Sequence, residues 1–218
     1  MTGQGQRKRG ELELKANIMA RYTGPKDRLS RREGFDLFGK GAKLTRLSVP
    51  PGVHGPKGFT SRTSQYGRQL REKQKVKRMY GLTEKQFMRY TTLALKSKGN
   101  TINKLFELLE SRLDNTVYRL GFAATRQQAR QMVGHRHVLV NGKKVNIPSY
   151  RVVPEDTIAL SEKAFNIPKV KELVKEGDIK PPVWLKKKGG AGKVVRNPVR
   201  EDVTEPIEDQ DIIEFYSR

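Results

Sequence analysis

The sequence contains no cysteine, and this absence limits what the protein can be. Neither a disulfide nor a thiolate metal site can form, and three scattered histidines do not make a closed structural zinc site. Long apolar runs are also missing, so no stretch is typical of a transmembrane helix, and the basic N-terminus lacks the apolar region of a secretory signal. We therefore expect a cytoplasmic protein without a metal or other cofactor.

Acidic residues are scarce relative to basic ones. The chain has 45 Lys and Arg against 23 Asp and Glu, a net charge of +22, with only 35% hydrophobic residues. The charge is uneven: +17 in residues 1–100 and −6 in residues 201–218. Such an excess favours a polyanionic partner, so nucleic acid is the predicted ligand. A solubilising surface is the simpler interpretation, and a membrane surface is the weaker one because no basic amphipathic helix carries Trp or Phe anchors.

A catalytic constellation is also missing from the sequence. There is no glycine loop of the Walker type, and no nucleophile lies beside His54, His135 or His137. Asp114, in the run Ser-Arg-Leu-Asp, falls inside a helical pattern, where pairing with a nearby arginine or capping a neighbouring helix is expected. The sequence predicts that the protein is not an enzyme.

What is present centres on residues 112–146. Leu113, Val117 and Leu120 recur at helical spacing, and a second helical pattern is capped by Thr125. A strand at 137–140 then reaches Asn-Gly, the strongest two-residue hairpin signal, and a strand at 143–146 returns. Arg126 and Arg130, four residues apart, are predicted to lie on the exposed face of the second helix. This pattern indicates two helices bracing a small sheet, with basic side chains presented outward.

This stretch resembles the S-four (αL) RNA-binding module, through ESRLDNTVYRLGFAATRQQAR and HVLVNGKKVNIPSYRV. With MARYTGPKDRLSRREG from Met19, PPGVHG, YGRQLREKQKV and the closing EFYSR, the resemblance extends over residues 19–218 to the bacterial small-subunit ribosomal protein S-four family. Residues 1–18 are then either an extension or sequence upstream of a true start at Met19. Many family members bind zinc through four cysteines. The corresponding positions here hold Asp27, Ser30, Leu44 and Val49, so the metal is not carried over.

The resemblance implies an α+β fold. A mostly helical N-terminal domain (19–109) follows a flexible arm (1–18), the module is inserted at 110–173, and residues 174–218 return to complete the N-terminal domain. Local patterns predict a basic helix at 61–80, a helix at 83–97 with Phe87, Tyr90, Thr91 and Leu95 inward, and one helix from Thr101 to Leu120. Further expectations are a strand at 157–160, a helix at 167–174, a flexible basic loop at 186–192, and an extended segment at 212–216. Trp184 is expected to be a packing anchor.

Residues 20–60 are rich in Arg, Gly and Pro, and two interpretations stay open for the free protein: a disordered loop, or a segment that orders on RNA. In the helix predicted at 61–80, the six cations from Arg68 to Arg78 accompany a single acid, Glu72, which favours phosphate contact. Arg136 stands where family members usually have glycine, so the turn there must tolerate it. The predicted RNA-binding residues are Arg112, Arg119, Arg126, Arg130, Arg136, His137, Lys143, Lys144, Arg68, Arg71, Lys75, Lys77, Arg78 and His54.

The resemblance implies a structural constituent of the small ribosomal subunit that binds 16S rRNA directly, nucleates assembly of the subunit body and influences translational accuracy. Its implied partners are that rRNA and neighbouring ribosomal proteins, especially the fifth of the small subunit, with mRNA near its entry path as a further candidate. Two alternatives remain. Pseudouridine synthases and tyrosyl-tRNA synthetases carry the same module, but they need a large catalytic domain that these residues do not supply. A free RNA-binding translational regulator is the other.

Overall fold

The structure is a computed structural model and describes residues 22–57, 64–176 and 180–217. The expected N-terminal arm, a predicted helical turn at 11–18 and the first residues of the 61–80 helix lie outside the described residues. The helices are α1 (Lys26–Glu33), α2 (Gln65–Met79), α3 (Glu84–Lys96), α4 (Thr101–Glu110), α5 (Leu113–Arg119), α6 (Arg126–Gly134), α7 (Glu162–Phe165), α8 (Pro168–Glu176) and α9 (Asp209–Tyr216). The strands are β1 (Val138–Val140), β2 (Lys143–Lys144), β3 (Thr157–Leu160), β4 (Leu185–Lys188) and β5 (Ala191–Val194).

The helices and the five-stranded antiparallel sheet of the described residues confirm the α+β class, and two apolar cores hold these elements together. The first core joins α2, α3 and α4 to the C-terminal segment through residues such as Val76, Phe87 and Ile212. The second joins α5 and α6 to the sheet through residues such as Leu120, Val133 and Ile158. We call the first the N-terminal domain and the second the module. Trp184 lies fully buried in the module's core, which confirms its expected packing role.

The C-terminal segment divides between the two cores. The strand order is β2-β1-β3-β5-β4, all neighbours being antiparallel, so β4 and β5 extend the module's sheet. The prediction of a flexible loop at 186–192 is therefore wrong, because these residues form a hairpin. The prediction that residues 174–218 return to the N-terminal domain is wrong for β4 and β5, which belong to the module. The paired glycines 189–190 form the turn of a hairpin, and Gly189 has a positive φ of 57°.

The final segment does return to the N-terminal domain, as a helix. α9 lies against α2 and α3: the rings of Phe215 and Tyr66 are 5.7 Å apart, and those of Tyr216 and Phe87 are 6.0 Å apart. The predicted docking of Phe215 and Tyr216 on this domain is thus confirmed. The predicted extended conformation is wrong, because packing of Ile212 into the core overrides the strand preference of its β-branched and aromatic neighbours.

The predicted helix from Thr101 to Leu120 is interrupted. It breaks at Ser111 and Arg112, where the backbone pairs with a later segment: Val152 N–H donates to Ser111 O (2.8 Å) and Leu113 N–H to Tyr150 O (2.8 Å). Arg112 is extended at ψ 137° and forms an isolated bridge with Arg151. The break therefore divides the predicted helix into α4 and α5, and the module starts with α5.

The other helical predictions hold with small changes. Thr83 caps α3 by accepting from Gln86 N–H (3.4 Å), and Thr125 caps α6 by accepting from Gln128 N–H (3.2 Å). In α3 the inward positions are Phe87, Thr91 and Ala94, with Tyr90 partly buried. Leu95, predicted to be inward, is exposed, because the buried stripe reaches Ala94 instead.

Residues 35–57 have little regular structure but are tied to the domain. Arg31 donates through Nε to Val49 O (2.8 Å) and through Nη2 to Pro50 O (2.9 Å). Leu37 and Leu44 of this segment are both buried. Two short 3₁₀ turns lie in this segment, at Gly41–Lys43 and Gly55–Lys57.

Candidate nucleic-acid interface

The basic helix α2 carries more acid partners than its own sequence shows. Carboxylates from three other segments pack along it, in addition to Glu72. The pairs are Arg68–Asp211 (3.3 Å), Arg71–Glu33 (3.3 Å), Lys75–Glu72 (3.3 Å), Lys77–Glu84 (2.8 Å), Lys73–Glu84 (2.5 Å) and Arg78–Glu33. The prediction that Glu72 is the single acid beside these cations is therefore wrong, because the fold brings Glu33, Glu84 and Asp211 to the same helix. Arg68, whose side chain is 65% exposed, is the most available of these cations to an external anion.

Arg112 is not at the surface. Its side chain is buried, with 2% of the residue exposed. The guanidinium donates two hydrogen bonds to Asp114, from Nε to Oδ1 (3.0 Å) and from Nη2 to Oδ2 (2.6 Å), and one from Nη1 to Tyr90 Oη (2.8 Å). The proposed pairing of Asp114 with a nearby arginine is confirmed. Because the Arg112 head group is buried and hydrogen-bonded to Asp114 and Tyr90, we assign it a structural role, and its predicted contact with RNA stays a prediction.

Arg119 is engaged in the same way. It donates to both oxygens of Glu110 (Nε–Oε2 3.0 Å, Nη2–Oε1 2.9 Å), and Glu110 is fully buried. Tyr80, at the end of α2, donates its hydroxyl to Glu110 Oε1 (2.5 Å). Burial, followed by the charge of Glu110, raises the pKa of the Tyr80 phenol well above its usual value, so the hydroxyl keeps its proton and remains a donor. Arg119 thus serves an internal hydrogen-bond network.

Arg126 and Arg130 were predicted to lie exposed on the outer face of α6, and this is wrong. Their side chains are only 13% and 22% exposed. Arg126 pairs with Glu205 (2.9 Å) and Asn115 Oδ1 (2.9 Å), and Arg130 pairs with Asp114 (3.2 Å). Helical periodicity correctly placed them on a different face from the buried Ala129 and Met132. That face is nevertheless covered, because α6 packs on α5 and Glu205 of the C-terminal segment contacts Arg126, a contact that no local sequence pattern reveals.

Four predicted residues nevertheless line one groove. Lys77 and Arg78 from the N-terminal domain and Arg126 and Arg130 from the module border a groove of about 1050 Å³ between the two halves. Aromatic rings of Tyr80 and Tyr118 are also in its wall, and the guanidinium of Arg126 lies 5.0 Å and 4.6 Å from their centres. The groove therefore brings basic and aromatic residues together, but its lining also holds Glu84, Asp114 and Glu205, which pair with the cations, so RNA would have to compete with these carboxylates.

The most accessible predicted cations lie at the edge of the module. Lys143 and Lys144 form β2, the edge strand, next to the hairpin turn where Asn141 and Gly142 have positive φ of 50° and 77°. Arg136 is exposed at the helix-to-strand turn with a φ of 62°, so it adopts the left-handed conformation that glycine favours. Within the ranges that the structure covers, none of these three cations forms an ion pair. His54 is exposed and His137 half-buried, and neither joins the groove.

The outer face of the sheet adds lysines that sequence reasoning missed. The strand register forms two rows of neighbouring residues across the sheet. One row runs through Lys144, Leu139, Ala159, Ala191 and Lys188, and the other through Thr157, Lys193 and Lys186. Since side chains alternate across a strand, Lys144, Lys186, Lys188 and Lys193 share the face opposite the core. Lys193 pairs with Glu155 (2.5 Å), while Lys187 points inward over the Phe122 ring at 5.5 Å. The run LKKK shows no alternation of apolar and polar residues, so no local pattern marked it as a strand, and it looked like a loop.

Comparisons with known proteins agree with this two-part architecture. A model of the ribosomal protein S4/S9 N-terminal domain matches residues 21–110, and an S4 domain model matches residues 111–158. The division between the two falls where α4 ends. The uS4 proteins of Natranaerobius thermophilus and Aquifex aeolicus are 49% and 51% identical to the chain over 211 and 210 residues, and each match covers 92% of this chain and the whole of the relative.

The chain belongs to the uS4 family of small ribosomal subunit proteins. The uS4 protein of Halothermothrix orenii, 49% identical over 210 residues, is matched equally completely. These relatives are ribosomal proteins, so membership of the uS4 family replaces the enzyme alternatives that the module alone left open. In this uS4 member no helix of the described ranges is long and apolar enough to cross a membrane, and those ranges hold no cluster of three or more possible metal ligands.

Proposed function

We propose that the protein is a structural constituent of the small ribosomal subunit that binds 16S rRNA directly and nucleates assembly of the subunit body. The observation that carries this function is the uS4 match along 92% of the chain. The net charge of +22 and the accessible cations of the module support direct contact with a polyanion. Contributions to translational accuracy, contact with the fifth small-subunit protein and contact with mRNA near its entry path belong to the same proposal.

The rRNA contacts that we propose follow from accessibility. Lys143, Lys144 and Arg136 lead, together with the outer sheet lysines Lys186 and Lys188, because these side chains are exposed and make no internal ion pair in the described ranges. Arg68 and the groove cations come second, since RNA phosphates must compete there with carboxylates already in place. A-form RNA hides its major groove, so such contacts read backbone and shape rather than sequence.

Salt dependence tests direct rRNA binding. Affinity for a 16S rRNA fragment containing the 5′ domain is measured by filter binding across a salt series. With about ten phosphate contacts, affinity falls about a thousand-fold or more between 50 and 200 mM salt. A nearly flat plot of log affinity against log salt contradicts the proposed mode of binding.

A pair of variants tests where the contacts lie. Replacing Lys143 and Lys144 with alanine should lower the slope of that plot by about 2, one unit for each lost phosphate contact. The matched control replaces Lys169 and Lys171 of α8 with alanine. These lysines are also exposed, and their replacement removes the same amount of charge. Equal effects of the two double variants would show that only net charge matters and that the β2 edge is not the interface.

A further inference from the structure

One acidic side chain lies among the arginines between the two halves of the molecule. Glu205, in the C-terminal segment between β5 and α9, accepts from Arg119 Nη2 at Oε2 (3.0 Å) and from Arg126 Nη2 at Oε1 (2.9 Å). Its side chain is 16% exposed. Burial alone would raise the pKa of this carboxyl, but the two guanidinium groups outweigh it and hold the pKa at about 2, so Glu205 is ionised at neutral pH.

The segment that carries Glu205 belongs to the N-terminal domain. Val203 and Ile207, on either side, lie in that domain's core. Arg200 fastens the same segment: it pairs with Asp209 (2.6 Å), donates to Val203 O (2.8 Å) and lies 4.9 Å over the Phe106 ring of α4. Glu205 is thus anchored on one half of the molecule, while Arg119 and Arg126 belong to α5 and α6 of the other half.

Arg126 is held between the two halves as well. Its guanidinium contacts two rings: it lies 5.0 Å from the ring centre of Tyr80, from the N-terminal domain's core, and 4.6 Å from that of Tyr118, which packs on the module's core. Two carboxylates, Glu110 and Glu205, balance the two arginines. A rigid, charge-balanced cluster of this kind has one arrangement in which all its partners are satisfied, so it fixes the angle between the bodies that contribute to it.

We propose that Glu205 is a positioning residue for rRNA binding: it sets the orientation of the module relative to the N-terminal domain, so that their basic surfaces meet one folded RNA. This inference rests on the proposed rRNA-binding function. Net charge alone predicts the opposite effect: removing an acid from a protein of charge +22 should strengthen its binding to RNA. Here loss of the acid leaves the free protein in several orientations, of which only a fraction can bind.

The test measures rRNA affinity of Glu205→Gln beside a matched control, Glu201→Gln. Glu201 lies four residues away, is exposed, and makes no ion pair in the described ranges. If the competent orientation falls to a tenth of the population, Glu205→Gln weakens binding about tenfold. Glu201→Gln leaves affinity unchanged or slightly raised. Unchanged or tighter binding by Glu205→Gln overturns the proposal.

A second variant and a second readout exclude a mere loss of folding. Glu205→Asp keeps the charge but is one methylene too short to reach both guanidinium groups, and it should weaken binding too. Because the chain lacks cysteine, spin labels can be placed at Met88→Cys in α3 and Glu162→Cys in α7, both exposed. The distance distribution between them should be narrow in the parent protein and broader after Glu205→Gln, with the far-ultraviolet circular dichroism unchanged. A distribution of unchanged width contradicts positioning.

The two proposals fail in different ways. If the parent protein shows no salt-dependent affinity for the rRNA fragment, the proposed function is wrong, and this inference falls with it. If the parent protein binds as expected while Glu205→Gln binds equally well, only the positioning role is wrong.

Discussion

Ile212→Ala is the substitution that most directly probes the return of the C-terminal segment. Ile212 is fully buried among residues of α2, α3 and α4, although it belongs to α9 at the end of the chain. Truncating a fully buried isoleucine to alanine removes about 2–5 kcal/mol of stability, through the lost transfer free energy and the cavity left behind. We expect a loss of about 3 kcal/mol in the free energy of unfolding, measured by urea denaturation.

The location of the loss is as informative as its size. Hydrogen exchange should show faster exchange in α2 and α3, which α9 covers, and unchanged protection in β1 and β3 of the module. The control is Ile147→Ala, since Ile147 is 56% exposed and its truncation should change stability by less than about 0.5 kcal/mol. A loss below about 1 kcal/mol for Ile212→Ala, or faster exchange confined to the module, would refute the packing argument.

Four further outcomes are expected. Arg112→Met should destabilise the protein by about 3 kcal/mol or more in denaturation experiments, because Asp114 would lose its main buried partner; a neutral result would mean that water replaces it. Arg31→Ala should increase hydrogen exchange in residues 35–57, whose carbonyls it holds, and unchanged exchange would show that the segment is fixed otherwise. Glu205 has a lowered pKa of about 2 against 4.5, so its stabilisation is complete above about pH 4.5 and is lost as pH falls towards 2; an acid titration in which Glu205→Gln parallels the parent protein would contradict this. Metal analysis of the purified protein should find no stoichiometric zinc, and one zinc per chain would refute the reading of the substituted cysteine positions.

The sequence was informative where local chemistry decides the outcome. Thr83 and Thr125 cap the helices that follow them, and Asn141-Gly142 turns the hairpin as its composition predicts. Pro168 begins α8 as expected of proline at the first position of a helix. Burial of Trp184 also followed from its chemistry, because a lone large aromatic in a sparsely apolar segment is a natural anchor for a small core.

Sequence reasoning failed where distant segments decide the outcome. The apolar pattern continues through Ser111, yet the helix breaks there because residues 150–152 take its backbone hydrogen bonds. Ile212-Ile213 favours a strand by composition, but packing on α2 makes it a helix. Similarly, charge counting identified Arg112, Arg119 and Arg126 as cations, but only the fold shows that Glu110, Asp114 and Glu205 occupy their hydrogen-bonding groups.

Co-sedimentation with ribosomal particles tests the central claim most directly. Tagged protein in a lysate from cells that express it is fractionated on a sucrose gradient and compared with small-subunit rRNA. The account predicts that the protein follows the small-subunit peak at a constant ratio to that rRNA and dissociates only at high salt. Recovery of the protein only in the ribosome-free fractions, with rRNA particles lacking it, would contradict the account and favour the free RNA-binding regulator.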